Sequence, residues 1–424
     1  MATLVGCEVS RDRLALARPV QPVHHRAKPL TRNPRPRDRA AVDLPAHHGM
    51  TMNSASPNLA SPTLSRESSI LSNRFVLADF APLISLAALI FVFALLVEDF
   101  VSLGTVTLVL KRGAVLAIVA TGLTFVLLCA EIDLSVGMLA LLAACLCGVL
   151  WEQPFAAGPK GMGAASAGSL FVVLAVPFVV TLALGLLSGW LTVSSGLPSF
   201  IITLAMMNIA VGLAKFMTLS QKFNVPPVLS QIGNDALFRV GRLGFPNSAA
   251  LAAVVMLVAH LVLQHTRFGR YVYMTGGNRQ AARLAGVRTE RIVIACLAIG
   301  ALSAACGGLV NAGRLQSVSL DQNADLLLDA VACVVLGGTS LFGGEGGIGR
   351  TLIGVLTFTT LKVGLDLTDI VKLIKASPLP LAWKQSWQQM SWVTQFDLLR
   401  PFLLGIVLLL ALVLHGRLSK HRSD

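Results

Sequence analysis

The sequence predicts an all-α membrane protein, a polytopic bundle of about ten transmembrane helices. Of its 424 residues, 54% are hydrophobic and only 13% are charged, whereas ordinary soluble domains carry about 25% charged residues. After residue 76, apolar runs recur at close to the length of about 20 residues that a helix needs to cross a bilayer. One short segment between two such runs, residues 267–291, holds six arginines and one glutamate, which is typical of a cytoplasmic loop.

The apolar runs divide into ten predicted spans, of which the third and eighth are short. Pro198 suits the first turn of the fifth span. Lys111 and Arg112 are placed just before the second span, because charges are costly in the middle of a bilayer. The predicted spans are residues 77–97, 113–130, 135–151, 170–192, 197–218, 247–266, 292–313, 325–342, 349–367 and 396–415.

Residues 1–75 are predicted to be a disordered basic extension, and residues 76–424 the transmembrane domain. The extension is rich in Arg, Pro, Ser and His and has no apolar run, so it cannot bury enough surface to offset the entropy of ordering. It also lacks the apolar region of a secretory signal. A second interpretation is a start-site artefact, with Met50 or Met52 as the first residue.

An even number of spans places both termini on one side of the membrane. The basic N-terminal extension, the 267–291 loop and the C-terminal tail HGRLSKHRS then lie together, and the positive-inside rule makes that side cytoplasmic. The lysines and arginines near residues 111, 240 and 375 lie on the opposite side in this arrangement, so the rule is obeyed imperfectly.

Several kinds of chemistry are not expected on this chain. The sequence has no Gly-Lys dipeptide and therefore no P-loop, and it has neither H-E-x-x-H nor G-x-S-x-G. The G-x-G-x-x-G at 344–349 follows no predicted strand. The cysteines lie mostly in apolar spans without a histidine cluster, so no metal site is predicted. The net charge is +13, but the sequence has no basic patch with interspersed aromatic residues of the kind that binds single-stranded nucleic acid. Because the chain has no P-loop, a transporter interpretation would require energy from a partner or an ion gradient.

Two groups of residues are candidate site or packing positions. Polar residues before and within the third and fifth spans form either a structural cap and turn or part of a translocation path for substrate or protons; they are Glu131, Asp133, Ser135, Ser199, Thr203 and Asn208. Asp133 is predicted to cap the third span, and Asp325 and Asp329 the eighth. Glycines that would let helices pack closely are Gly337, Gly338, Gly343, Gly344 and Gly347.

Four stretches identify a family. They are GLTFVLLCAEIDLSVGMLALLAA, SGLPSFIITLAMMNIAVGLA, RFGRYVYMTGGNRQAARLAGV and VACVVLGGTSLFGGEGGIGRTLIGVL. Together they cover most of residues 110–370, and the chain resembles the inner-membrane permease subunits of bacterial ABC sugar importers of the ribose, xylose and arabinose type. Residues 368–394 are longer than usual for that family.

The resemblance implies a dimeric channel in the bacterial inner membrane that is not itself an enzyme. A second copy, a periplasmic sugar-binding protein and a cytoplasmic ABC ATPase would be its partners, in contact with the lipid bilayer and with no nucleic acid. ATP and Mg would bind the ATPase, with no cofactor on this chain. The residues that correspond to the ATPase-coupling segment are Gly277, Asn278, Arg279, Ala281, Ala282, Arg283 and Gly286.

Within the coupling segment, a Gly-Gly-Asn turn at 276–278 is expected to orient a short helix over 279–287. The alanines would let the ATPase surface come close, and the arginines would pair with ATPase carboxylates or only set the topology.

The expected cargo is a monosaccharide, with a pentose such as xylose or ribose favoured. Two alternatives are a branched-chain amino-acid ABC permease and a proton-coupled carrier that uses Glu131 and Asp133 as a relay.

Overall fold

The computed structural model describes residues 68–152, 167–240, 243–323, 325–368, 399, 401–406 and 409. Most of the predicted N-terminal extension, most of the tenth predicted span and residues 369–394 therefore lie outside the described residues. The first helix begins at Ser68, eight residues inside the segment predicted to be disordered.

Twelve helices and four short strands are delimited between residues 68 and 367, and residues 401–406 are also helical. The helices are α1 (Ser68–Leu96), α2 (Leu103–Leu128), α3 (Val136–Glu152), α4 (Ala167–Ser195), α5 (Ser199–Thr218), α6 (Pro227–Asn234), α7 (Asn247–His265), α8 (Arg267–Gly277), α9 (Arg279–Leu284), α10 (Thr289–Leu315), α11 (Leu326–Leu336) and α12 (Ile348–Leu367). The strands are β1 (Phe223–Asn224), β2 (Ala236–Val240), β3 (Leu243–Pro246) and β4 (Ser317–Val318).

The predicted class, an all-α polytopic bundle, is confirmed. By length and composition, six helices of the described residues could cross a membrane, namely α2, α4, α5, α7, α10 and α12. Three shorter apolar helices lie in α1, α3 and α11. These nine helices overlap the first nine predicted spans, with different bounds for several of them. The total of ten and the cytoplasmic position of both termini stay predictions.

Helix α10 is the centre of the bundle and the most buried of the six long apolar helices. It packs against α2, α3 and α4 through small residues that bring backbones close together. Gly185 of α4 faces Ala301, and Gly308 of α10 lies against the backbone of Ala140 in α3. A Cβ atom at position 308 would lie 2.1 Å from the Ala140 carbonyl oxygen, so the two helices pack at a distance that only glycine permits.

Replacing Gly308 with alanine is expected to destabilise the bundle by about 1–3 kcal/mol, because α3 and α10 must move apart. Gly212 in α5 is the matched control, since a Cβ there meets nothing within 4 Å. Gly212→Ala should change stability by less than about 1 kcal/mol, in the stabilising direction, because alanine is the better helix former. Apparent Tm values of the two purified variants measure the difference, and equal values would contradict the packing described.

Helix α2 starts ten residues before the predicted span, so Lys111 and Arg112 lie inside it and not before it. The structure provides each with a partner. The Lys111 ammonium donates to the Asn234 carbonyl oxygen at 2.7 Å, and Arg112 forms an ion pair with Asp366 of α12. Charged groups within apolar helices need such partners, and both partners are remote in sequence.

The region of the eighth predicted span also differs from expectation. Helix α11 ends at Leu336, and residues 337–347 form an irregular connection to α12. Asp329 does not act as a cap, because its carboxylate accepts a bond from the Lys362 ammonium of α12 at 2.6 Å. Asp325 stands at the N-cap position without a side-chain capping bond.

The four strands form two small antiparallel sheets at one end of the bundle. Strand β1 pairs with β4, with Phe223 opposite Val318, and β2 pairs with β3 in a hairpin. In the hairpin, Phe238 stacks on Phe245 with ring centroids 5.4 Å apart. Since β4 directly follows the C-terminal end of α10, the sheets lie at the end opposite to α8 and α9, which precede its N-terminal end.

Candidate functional site

The predicted coupling segment folds as two short helices. The Thr266 hydroxyl accepts from the Gly269 amide at 3.2 Å and caps α8, and the Asn278 side chain accepts from the Ala281 amide at 2.9 Å and caps α9. The expected short helix is therefore present as α9, ending at residue 284. The expected Gly-Gly-Asn turn is not, because Gly277 is the last residue of α8 and only Asn278 breaks the helix.

An ion pair joins α9 to the connection between α2 and α3. The Arg279 guanidinium donates to the carboxylate of Glu131, a residue 148 positions earlier in the chain. The Glu131 side chain is 8% exposed, whereas that of Arg279 is 41% exposed. Loss of the arginine would therefore leave a buried carboxylate without its cation.

The α2–α3 connection is in turn held by α5. The Ile132 amide donates to the Ser199 hydroxyl at 3.0 Å, and the Leu134 amide donates to the Thr203 hydroxyl at 3.1 Å. These bonds satisfy backbone groups that have no helical partner. The connection that holds Glu131 is therefore hydrogen-bonded to the first two turns of α5.

Asp133 lies at the centre of the same connection and is 3% exposed. One carboxylate oxygen accepts from both the amide of Ser135, at 2.8 Å, and its hydroxyl, at 2.6 Å. Helix α3 begins at Val136, so Asp133 stabilises the turn before the helix and is not the predicted N-cap. Burial raises the pKa of this carboxyl above its ordinary value, against the lowering effect of the bonds from Ser135.

The second arginine of α9 also finds its partners within this chain. Arg283 forms an ion pair with Glu290 at 2.6 Å and donates to the Thr289 hydroxyl at 3.0 Å. Arg279 and Arg283 thus each form an ion pair within the chain, with Glu131 and Glu290, and the pairing of either arginine with carboxylates of an ATPase stays a prediction.

A cavity of about 310 Å³ separates α9 from the turn between α4 and α5. Both ion pairs line it, together with Thr192 and residues 196–198 of the turn. Because protein interiors are otherwise close-packed, this space is where α9 and the α4–α5 turn have room to move relative to one another.

A three-way backbone junction fixes the other end of the coupling segment. The Gly344 amide donates to the Leu128 carbonyl oxygen at 3.0 Å, and the Tyr273 hydroxyl donates to the Gly346 carbonyl oxygen at 3.0 Å. A Cβ at Gly276 would lie 1.8 Å from the Leu128 oxygen and 2.8 Å from the Gly344 nitrogen. The end of α2, the end of α8 and the α11–α12 connection therefore meet at backbone contact.

The structure brings most of the candidate polar residues together at this end of the bundle. Asn208 is the exception, because it is exposed on α5 and donates to the Leu204 carbonyl oxygen at 2.9 Å. The others lie in the 131–135 connection or bond to its backbone: Glu131, Asp133, Ser135, Ser199 and Thr203.

Within the coupling segment, burial separates the predicted residues into two groups. Ala282 is 2% exposed and belongs to the core of this chain, so it does not offer the surface that was expected to meet a partner. Gly277, Ala281 and Gly286 are exposed, and Gly286 has a φ of +82°.

The glycines predicted to pack helices act mainly in a turn. Gly337, at the end of α11, fits the prediction, because a Cβ there would lie 2.2 Å from the Arg350 carbonyl oxygen of α12. The other four have positive φ angles and shape the α11–α12 connection: Gly338, Gly343, Gly344 and Gly347. At Gly344, a φ of +74° coincides with a Cβ position 2.8 Å from the Gly277 Cα atom, so both requirements select glycine.

Two residues at this site were not predicted from the sequence, Tyr273 and Glu290. The backbone contact of Gly276 was not predicted either, because the sequence places this glycine in a Gly-Gly-Asn turn. Tyr273 is one of two tyrosines in the chain and stands in a short basic loop, which is a usable signal. Glu290 is the one acidic residue of the 267–291 segment and could have been matched to a nearby arginine. Nothing in the sequence distinguishes Gly276 from Gly277.

Comparison with known proteins shows the family to which the chain belongs. Residues 105–412 match the family model described as "Branched-chain amino acid transport system / permease component". The chain belongs to this permease family. The match begins in α2 and includes the α2–α3 connection, the coupling segment and the α11–α12 connection of the permease.

Sugar permeases are among the curated relatives of the permease. It is 34% identical over 294 residues to the ribose import permease protein of Escherichia coli (strain K12), covering 68% of this chain and 86% of the relative. It is 31% identical over 307 residues to the ribose import permease protein of Bacillus subtilis (strain 168), covering 70% and 87%. The xylose transport system permease protein of Escherichia coli (strain K12) is 31% identical over 338 residues, covering 64% and 80%. No solved structure matches the permease.

Proposed function

We propose that this permease is the membrane subunit of an ATP-driven importer that carries a monosaccharide, a pentose such as ribose or xylose, across the bacterial inner membrane. The similarity to ribose and xylose permeases supports the substrate class and favours sugar over a branched-chain amino acid. Its partners are a cytoplasmic ABC ATPase, which binds ATP and Mg, and a periplasmic sugar-binding protein. Sugar passes between two copies of the permease.

The single observation that carries the coupling mechanism is the ion pair between Arg279 and Glu131. ATP binding closes the ATPase and displaces the exposed face of α9, which lies on the cytoplasmic side. The displacement passes through Glu131 into the 131–135 connection and on to Ser199 and Thr203 at the start of α5. Differential contacts of α9 in two ATPase states then shift the bundle between two access states.

A reconstituted system tests the proposed function. Proteoliposomes that hold the permease and its ATPase, with the sugar-binding protein on the opposite side, are expected to accumulate labelled pentose above the outside concentration only when ATP is supplied on the α9 side. An uncoupler should leave this accumulation unchanged. Accumulation that needs no ATPase and collapses with an uncoupler would instead establish a proton-coupled carrier, with the buried Asp133 as the proton site.

The sugar is identified through the binding protein that co-purifies with the permease. A ligand that binds the folded state raises the Tm of that protein. We expect a pentose to raise its Tm more than any hexose, polyol or branched-chain amino acid tested at the same concentration. A larger rise with leucine or valine would contradict the proposed cargo.

A further inference from the structure

The two most exposed large apolar side chains of the described residues lie outside the helices that could span a membrane. Leu284 of α9 is 91% exposed, and Phe342 in the α11–α12 connection is 90% exposed. The next, Phe216 at 78%, lies in the apolar helix α5, where lipid contact explains exposure. Lipid contact along a spanning helix does not explain the exposure of Leu284 and Phe342.

The segments that carry these side chains meet at the same end of the bundle. Gly344, two residues after Phe342, lies against the backbone of Gly277 at the end of α8, and α9 follows one residue later. The Tyr273 hydroxyl bonds the Gly346 carbonyl oxygen across the same contact. The α11–α12 connection is thus continuous with the coupling segment.

A short hydrogen-bonded turn supports Phe342. The Ser340 amide donates to the Glu345 carbonyl oxygen at 2.9 Å, and the Phe342 amide donates to the Ser340 hydroxyl at 3.1 Å. Leu341 beside it is 46% exposed. Because hydrogen bonds already fix this turn, little further conformational entropy is lost when a partner binds Phe342. Preordered aromatic side chains of this kind are typical of interface hot spots.

We propose that the turn at residues 340–345 is a second docking element for the ATPase, and that Phe342 and Leu284 together form its apolar contact surface. This inference rests on the proposed function. We commit to a protein partner because the turn that carries Phe342 is in backbone contact with the end of α8, next to the segment that is proposed to meet the ATPase. Coupling would then use contacts before α12 as well as those in α9.

Binding of the purified ATPase tests the inference. The probe is the ATPase subunit that co-purifies with the wild-type permease from its own membranes, produced separately and titrated against permease in lipid nanodiscs. Phe342→Asp is expected to raise the Kd for the ATPase by about tenfold or more, as loss of a hot-spot side chain does. Leu237→Asp is the matched control, because Leu237 is 64% exposed on β2 at the opposite end of the bundle and should leave Kd within about twofold.

A labelling experiment keeps the inference testable even if the aspartate variant folds poorly. Phe342→Cys is labelled with bimane, and the described cysteines, which are buried or half-buried, contribute a background measured on the wild-type chain. Addition of the ATPase should shift the emission to the blue. No shift, or a blue emission quenched by brominated lipid before the ATPase is added, would overturn the inference.

The outcomes distinguish a failure of the second docking element from a failure of the proposed function. Equal ATPase affinity for the wild-type permease and a folded Phe342→Asp variant overturns the second docking element and leaves the proposed function intact. Failure of the wild-type permease to bind any ATPase contradicts the proposed function itself.

Discussion

Gly276→Ala is expected to destabilise the permease by about 3 kcal/mol, at the upper end of what overpacking costs. The added methyl would lie 1.8 Å from the carbonyl oxygen of Leu128 and 2.8 Å from the amide nitrogen of Gly344. Both obstacles are backbone atoms and cannot rotate away as a flexible side chain does. Relief requires α8 to move off the end of α2, which breaks the junction that positions the coupling segment.

The neighbouring glycine provides the control for this prediction. A Cβ at Gly277 meets nothing within 4 Å, so Gly277→Ala should change stability by no more than about 0.5 kcal/mol. The comparison is made on apparent Tm in one detergent and on the yield of monodisperse protein. Equal Tm values for the two variants would show that α8 does not cross α2 at backbone contact.

Arg279→Gln is expected to cost about 1–3 kcal/mol of stability, and Glu131→Gln less. The difference follows from burial, because Glu131 is 8% exposed and Arg279 41% exposed. Removal of the arginine leaves a carboxylate buried without its cation, whereas removal of the glutamate leaves an arginine that water can solvate. The exposure of Arg279 keeps the cost below that of a fully buried pair.

A double-mutant cycle makes the prediction specific. Adding Glu131→Gln to the Arg279→Gln variant should restore much of the lost stability, since the buried charge is then gone. Arg283→Gln is the control, because Arg283 and Glu290 are 55% and 43% exposed and such a pair contributes no more than about 1 kcal/mol. An Arg279→Gln variant as stable as Arg283→Gln would contradict the role given to burial.

Local signals account for what could be predicted from the sequence. The apolar runs place nine helices, because a bilayer requires a fixed length of apolar residues whatever the neighbours are. Helix α9 could be anticipated from a different local signal, because asparagine is a favoured N-cap residue and the Asn278 side chain accepts from the Ala281 amide. Helix α8 could not, because two glycines in succession are more often a turn than a helix end.

Contacts between distant parts of the chain account for what could not be predicted. Nothing local associates Glu131 with Arg279, 148 residues later. The position of Lys111 inside α2 depends on an acceptor at Asn234, 123 residues away. The glycines of the α11–α12 connection fit close helix packing equally well until their φ angles are known. In each case the residue type indicated a special role, but the sequence did not indicate which distant residue it contacts.

The most direct test of the coupling mechanism is the number of sugar molecules imported per ATP hydrolysed by the Glu131→Gln variant in proteoliposomes. The variant keeps α9 and its exposed surface, and it loses only the link to the 131–135 connection. We expect ATP hydrolysis close to the wild-type rate with pentose import reduced about fivefold or more, the size of a coupling free energy of 1–3 kcal/mol. An unchanged ratio of sugar to ATP would contradict transmission through the Arg279–Glu131 pair.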